Sequence, residues 1–501
     1  MASKTENING ESLWAQIDER LSKNDKQSGE RKDVIAERSY RWVVDAILPI
    51  SMTIVAGIGV MLPESLPREA RIALFTFALA TILWSTTKLN AAYVALAVTI
   101  ILVLSGGRPQ EALFDSLATD VIWLMIGAFV LGEAVKKTNL AARLTNLVVS
   151  KAGKVSQVFW LLTGVLAILS FFIPSTSGRA AVAMPVFDSL SDKIGDAKVT
   201  RALALLIPTI VLTSTICTLI GAGSHLIAND LLKQVSGTEI SFLNWAIYGI
   251  PFGFAASAAS CFVILQMFLG KEERTIKLEK TEMKTAKKFS SAEWKTIVVA
   301  AVMVVLWMTE SFHHFEIALV TTVGALVLMM PNFGVMSWKD GLKSVSWNLI
   351  IFVGAALVLG KALIDTGAAQ WIIENVFSIS GIDKSDPQYL ILLTVAFISL
   401  TSHIYMTSHS ARAAALVPAM IYFATSFGFN PAALVFISTV GMDYCLTFPV
   451  SSKALLLFQE LDAETFQPAD LLKLSAVLLI VHLILMVAFY YGYWQFVGLK
   501  L

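Results

Sequence analysis

Residues 175–185 read Ser-Thr-Ser-Gly-Arg-Ala-Ala-Val-Ala-Met-Pro, and residues 408–418 read Ser-His-Ser-Ala-Arg-Ala-Ala-Ala-Leu-Val-Pro. Ser175 aligns with Ser408, Ser177 with Ser410, Arg179 with Arg412 and Pro185 with Pro418, without a gap. Each copy interrupts an apolar stretch with hydroxyls and a guanidinium that lipid solvates poorly. Paired polar interruptions in corresponding halves of a hydrophobic chain point to a ligand site near the middle of a bilayer.

The remainder of the chain suits that setting. Of its 501 residues 56% are hydrophobic and only 15% charged, against about 25% charged in soluble domains. Runs such as 42–62 and 472–491 reach the roughly 20 apolar residues that cross a bilayer. The sequence predicts an all-α polytopic membrane protein of about eleven spans, near 42–62, 71–87, 90–105, 121–136, 200–220, 244–269, 294–311, 315–331, 349–364, 431–449 and 470–498. Two further apolar segments, 156–190 and 387–424, are split by the repeated motif. Half-helices of ~12–17 residues rise only ~18–25 Å. Each segment is therefore expected to fold back as a re-entrant helical hairpin with its tip at bilayer depth.

Loop charges orient the chain. Residues 136–154 carry Lys136, Lys137, Arg143, Lys151 and Lys154 without an acid, and 270–293 is also lysine-rich. Both are expected in the cytoplasm. Residues 365–386 carry Asp365, Glu374, Asp383 and Asp386 against Lys384, which suits the exterior. The N-terminus is then cytoplasmic, and the two hairpins enter from opposite sides. A direct sequence repeat in opposed orientations is an inverted-topology repeat. Gly132, Ala134 and Thr138 ahead of the first hairpin, matched by Gly360, Ala362 and Thr366 ahead of the second, extend it. Residues 1–41 read as a solvated tail rather than a signal peptide. Cys217, Cys261 and Cys445 lie in apolar stretches and read as core residues, not as disulfides or metal ligands.

A hairpin tip leaves the first amides of its second half-helix without intrahelical partners, at the positive end of the helix dipole. Ser175, Thr176, Ser177, Ser408, His409 and Ser410 add donors beside those amides. Two such tips meeting at mid-membrane would grip the two ends of a small dianion. The competing reading is that the serines merely cap helices. Arg179 and Arg412 either contact the substrate or pair with carboxylates such as Glu133 or Asp443. Each hairpin is followed by a span broken at polar residues, Thr213 to His225 in the first half and Thr447 to Lys453 in the second. Such breaks are tolerated where the freed backbone lines a site.

At these residues the chain resembles the divalent anion:sodium symporter family of dicarboxylate, citrate and sulfate carriers. That family carries a Ser-Asn-Thr triplet at each of two hairpin tips, with small residues and a proline following. Ser175-Thr176-Ser177 and Ser408-His409-Ser410 stand in those places. Its glycine- and proline-containing breaks correspond to 220–224 and 449–453. The resemblance implies a homodimer in which a transport domain moves as an elevator against a scaffold. It divides the chain into a cytoplasmic tail (1–41), scaffold helices (42–106 and 294–336), transport-domain halves (107–235 and 337–463), a transmembrane arm (236–269), a cytoplasmic linker (270–293) and a C-terminal transmembrane helix (464–501). It also implies a cation site, or its replacement, at Gly221, Ala222, Thr407, Ser451, Ser452 and Lys453.

The departures from the family pattern bear on coupling. Thr176 and His409 replace both signature asparagines, and Lys453 stands in the second break. Phe171 and Ile404 occupy positions where sodium-coupled members carry a hydroxyl. A fixed cation in place of sodium suits obligate exchange of one divalent anion, of C4-dicarboxylate type, for another across the plasma membrane. Sodium- or proton-coupled symport of dicarboxylate, citrate or sulfate is the alternative, with Na+ as coupling ion. No other cofactor, no metal and no nucleic-acid partner is expected. An anion channel would need a continuous pore, and a membrane-embedded hydrolase a histidine oriented toward Ser408 or Ser410. Neither is favoured.

Overall fold

The computed structural model describes residues 46–140, 143, 151–278, 289–372, 375, 387–461 and 465–501. The predicted tail 1–41 lies outside these residues, as do 144–150, 279–288 and 376–386 of the charged loops. The chain divides into two compact units, Met1–Gly59 and Val60–Leu501. In the first, the described residues begin the apolar helix Ala46–Met61. The second contains everything discussed below. Its described residues are helical apart from turns, extended connections and one isolated antiparallel bridge between Lys154 and Lys277.

Each predicted span contains a helix among the described residues, but the helices are unequal, and that in 431–449 ends at Asp443. Six are long and apolar enough to cross a bilayer: Ala197–Cys217, Phe242–Phe268, Ser291–Met308, Trp347–Asp365, Gln388–Tyr405 and Pro468–Trp494. A seventh is the pair Glu111–Ala118 and Asp120–Lys137, bent by 43°. Others are short. Ile317–Met329 has 13 residues and rises only about 20 Å. The burial pattern is that of a protein solvated by lipid. Trp294, Val298, Val302, Val305, Leu319, Val323, Ile480 and Ile484 are exposed. Thr213, Ser214, Thr215, His225, Arg179, Arg412, Ser438, Thr439 and Asp443 are buried.

Both motif-bearing segments fold as a helix, a break and a second helix. The first comprises Val155–Leu169 and Thr176–Ile194, and the second Gln388–Tyr405 and His409–Phe427. Both second limbs have 19 residues, longer than the predicted half-helices. They extend further because their stop signal lies beyond the motif. Gly195 (φ 62°) and Gly428 (φ 76°) take the left-handed conformation that ends a helix. The repeat thus runs in register from a serine cap, through an internal proline, to a terminal glycine. At the start, Gly178 N–H donates to Ser175 Oγ at 3.1 Å and Ala411 N–H to Ser408 Oγ at 3.3 Å. The capping reading of these two serines therefore holds.

The broken spans follow directly. Ala197–Thr213 gives way to 3₁₀ turns at Thr215–Cys217 and Leu219–Gly221, then to the helix Gly223–Ser236. Pro431–Asp443 gives way to an extended stretch and a 3₁₀ turn, Pro449–Ser451, then to Lys453–Gln459. Packing crosses between the halves. Gly223–Ser236 packs on the second limb of the second pair, and Lys453–Gln459 on the second limb of the first. The first break is also held from outside. Trp245 Nε1–H donates to the Ile216 carbonyl at 3.1 Å, and Gly249 lies so close that a Cβ would collide with that same oxygen.

Two stability tests follow. Ser175→Ala and Ser408→Ala each lose a cap worth about 0.5–2 kcal/mol; Ser177→Ala and Ser410→Ala, which remove no cap, leave thermal stability in detergent unchanged. Gly249→Ala forces the 3₁₀ turn away and costs about 1–3 kcal/mol, read as a lowered unfolding temperature. Gly164→Ala, at a helical site with open space around it, does not lower it.

Candidate functional site

The two tips and the two breaks line one cavity of about 490 Å³. Its wall includes Ser175, Thr176 and Ser177, then Thr407, Ser408, His409 and Ser410. Ala222, Gly223 and Ser224 come from the first break, and Val450, Ser451, Ser452 and Lys453 from the second. Residues 233 positions apart in sequence, such as Ser177 and Ser410, thus share a chamber. Its volume is within the range of small-molecule sites.

The helix starts explain the chemistry of the wall. Thr176–Ile194, Gly223–Ser236 and His409–Phe427 all begin at the cavity. Their first amides have no intrahelical acceptor, and three helix dipoles present positive ends. The cap serines accept through Oγ, and a hydroxyl that accepts still has its own proton to donate. Ser224 Oγ and Ser451 Oγ are buried, line the cavity and have no partner among the described residues. Lys453 opens the short fourth helix with an exposed side chain. Among the described residues it is the only lysine or arginine on the wall, and no aspartate or glutamate lies there. A second cavity of about 500 Å³ contrasts with this one. It mixes Arg108, Lys233 and Lys361 with Glu111, Asp115, Asp120 and Asp230, a wall with no bias toward an anion.

Several expected site residues lie behind the wall. Arg179 and Arg412 are fully buried and absent from the lining. The Arg179 guanidinium donates to Thr215 Oγ1 (2.8 Å), Ser214 Oγ (3.3 Å) and the Gly221 carbonyl (3.3 Å). It staples the first tip to the first break. Arg412 donates to the Met406 carbonyl at 3.2 Å. Neither pairs with Glu133, which faces Lys136 at 3.9 Å, or with Asp443, which faces His225 at 2.8 Å. Gly221 is behind the wall as well, with Ala222 on it. Phe171 and Ile404 are not on the wall.

The histidines have settled partners. His409 Nε2 lies 2.8 Å from Cys445 Sγ. His403 Nε2 lies 2.6 Å from Thr447 Oγ1, which ties the second pair to the second break. Neither histidine is hydrogen-bonded to Ser408 or Ser410, so the geometry of serine catalysis is not present.

Other wall residues were not anticipated. Asn90, Ser346 and Asn348 bring polar groups from helices outside the hairpins, beside Phe129 and Phe352. One sequence signal does reach Asn348. The register that matches Gly132 with Gly360 also matches Asp120 with Asn348, a polar residue opening each helix.

Comparison with known proteins agrees on one family. Residues 43–500 match the sodium:sulfate symporter transmembrane region. The chain is 26% identical over 468 residues to a protein of Cupriavidus necator described only as a membrane protein, covering 87% of this chain and 89% of that one. It is 23% identical over 402 residues to the sodium-dependent dicarboxylate transporter SdcS of Staphylococcus saprophyticus, covering 74% and 76%. The structure of the YdaH transporter of Alcanivorax borkumensis, noted for an unusual topology, superposes with a TM-score of 0.52 at 13% identity, covering 85% of this chain and 99% of that one. At that identity the likeness concerns the fold alone. The chain is therefore an integral membrane transport protein, not an enzyme, and belongs to the sodium:sulfate symporter family, the divalent anion:sodium symporters whose signature its two tips resemble.

Proposed function

We propose that this protein is a secondary active carrier that exchanges one small dianion, of C4-dicarboxylate type, for another across the plasma membrane without a coupling sodium ion. The observation that carries this reading is the one cavity into which both tips and both breaks open, with Lys453 on its wall and no carboxylate among the described residues. Free amides and hydroxyls from the two halves suit a ligand with negative charge at both ends. The Ser175, Thr176 and Ser177 tip would hold one carboxylate, and the Ser408, His409 and Ser410 tip the other.

Sodium independence is supported by what fills the places a cation would need. The Gly221 carbonyl already accepts from the Arg179 guanidinium. Lys453 supplies a tethered positive charge at the second break, beside Ser451, Ser452 and Thr407. We read Arg179 and Arg412 as structural, since both lie behind the wall, Arg179 donating to two buried hydroxyls and a backbone carbonyl and Arg412 to the Met406 carbonyl. The sodium-dependent name of the staphylococcal relative favours a second reading, sodium-coupled symport, which the experiment below separates.

The crossed packing of the two halves supports an inverted repeat, hydropathy supports about eleven spans, and the loop charges a cytoplasmic N-terminus. In this reading the hairpins and broken spans form a transport domain that moves as an elevator against the scaffold helices of a homodimer.

Proteoliposomes test the reading. Labelled succinate enters vesicles preloaded with unlabelled succinate, equally in sodium and sodium-free buffer, and does not enter empty ones. Accumulation in empty vesicles only under a sodium gradient would replace exchange with symport. Ser177→Ala and Ser410→Ala each weaken succinate binding by about 1–3 kcal/mol, roughly 5–150-fold. Lys453→Gln abolishes exchange at equal substrate concentration.

A further inference from the structure

His225 and Asp443 join the two breaks, and the reading above gives them no role. His225 is the third residue of the helix after the first break, and Asp443 the last residue of the helix before the second. The two are 218 positions apart, yet His225 Nε2 and Asp443 Oδ2 meet at 2.8 Å. Both side chains are buried, at 0% and 5% exposed.

The hydrogen bonds count the protons. His225 Nδ1 lies 3.0 Å from the Thr218 carbonyl oxygen. A carbonyl oxygen only accepts, so Nδ1 carries a hydrogen and donates it. In a neutral ring Nε2 is then a bare acceptor, and so is a carboxylate oxygen. Two acceptors do not form a hydrogen bond, so the contact requires one more proton, on Nε2 or on Oδ2. With it the pair is neutral as a unit. Without it the pair carries one buried negative charge.

The surroundings give that carboxylate no second hydrogen bond among the described residues. Asp443 Oδ1 is buried without a partner among the described residues. The Trp245 ring lies 5.0 Å from the imidazole. The buried side chains of Asp120–Lys137 and Trp347–Asp365, which pack on the same helix, are all apolar. Charged or titratable groups around the pair include Arg179 from the first tip, Cys217 from the first break, Cys445 beside Asp443, and His409 and the buried Arg412 from His409–Phe427, the helix packed most closely on that of His225. Arg179 is committed to Ser214, Thr215 and Gly221.

We propose that His225 and Asp443 form a proton-binding site coupled to the dianion site. On release, the shared N–H or O–H bond breaks, its electron pair stays on the pair, and the proton passes to water. Nε2 and Oδ2 then face each other as two acceptors and part, separating the first break from the end of Pro431–Asp443. Those breaks line the cavity, and the new negative charge opposes a dianion there. Proton and dianion therefore favour the same state, and each raises the affinity for the other. This proposal rests on the dianion reading of the cavity.

Succinate binding to the purified full-length protein in detergent tests it, by calorimetry and with a pH-indicator dye in weak buffer. The range is above pH 7, where both carboxylates of succinate are ionised. The protein takes up protons as succinate binds, and affinity falls by up to about tenfold per pH unit. Asp443→Asn keeps the contact, because a carboxamide N–H donates to Nε2, but it has no proton to release. Its binding persists, independent of pH and without proton uptake. If Asp443→Asn fails to fold, His225→Gln serves instead: its carboxamide N–H donates to the Asp443 carboxylate, so proton uptake is again lost, but the charge stays and succinate binds weakly. Binding without proton uptake in the unmodified protein, or unchanged uptake in the variant, overturns the coupling alone. No succinate binding at any pH overturns the dianion reading and the coupling with it.

Discussion

The structure depends on helix beginnings brought together at one cavity. Each leaves backbone amides that no residue of its own helix can satisfy, and burying such groups unpaired costs about 1–3 kcal/mol apiece. Three helices of 14 or 19 residues begin at one cavity. The serine caps satisfy part of the need in two of them, and the Gly223–Ser236 helix has no side-chain cap. What remains is a wall of donors with an added ammonium and, among the described residues, no carboxylate. A cavity so built is complete only when an anion, or water, fills it.

Holding that arrangement open requires ties between segments far apart in sequence. Arg179 binds the first tip to the first break, and His403 binds the second pair to the second break. The Tyr444 hydroxyl and Thr447 carry the second break on to Ser475 of the last helix. The first break is further pinned by Trp245 against the Ile216 carbonyl. These bonds replace the helical hydrogen bonds that the breaks forgo, which is why irregular backbone can persist inside the protein. The exposed face of the molecule is apolar and its seam polar, the reverse of a water-soluble domain.

Much of this was legible in the chain. The repeated Ser-x-Ser-x-Arg motif located both tips, and the polar clusters after it located both breaks. Where two serines and an arginine recur at matched spacing in apolar sequence, local chemistry is informative, because lipid leaves few reasons to keep them. The limb lengths were less legible, since Gly195 and Gly428 lie beyond the motif and act only through their left-handed conformation. Asn348 was detectable only through the weaker Gly132–Gly360 register. The arginines were visible as costly residues, but not which oxygens they would find.

The sequence by itself determined the class of solvent, the all-helical architecture and the four polar interruptions, because these follow from hydropathy and from local caps and breaks. Only the tertiary structure decided that the four interruptions share one chamber, that Arg179 and Arg412 stay behind its wall, and that His225 meets Asp443 from 218 positions away. Those outcomes depend on how the second limbs and the broken spans of opposite halves pack across one another. No local pattern encodes such a contact, because the partner is chosen by shape and by the need to satisfy buried polar groups.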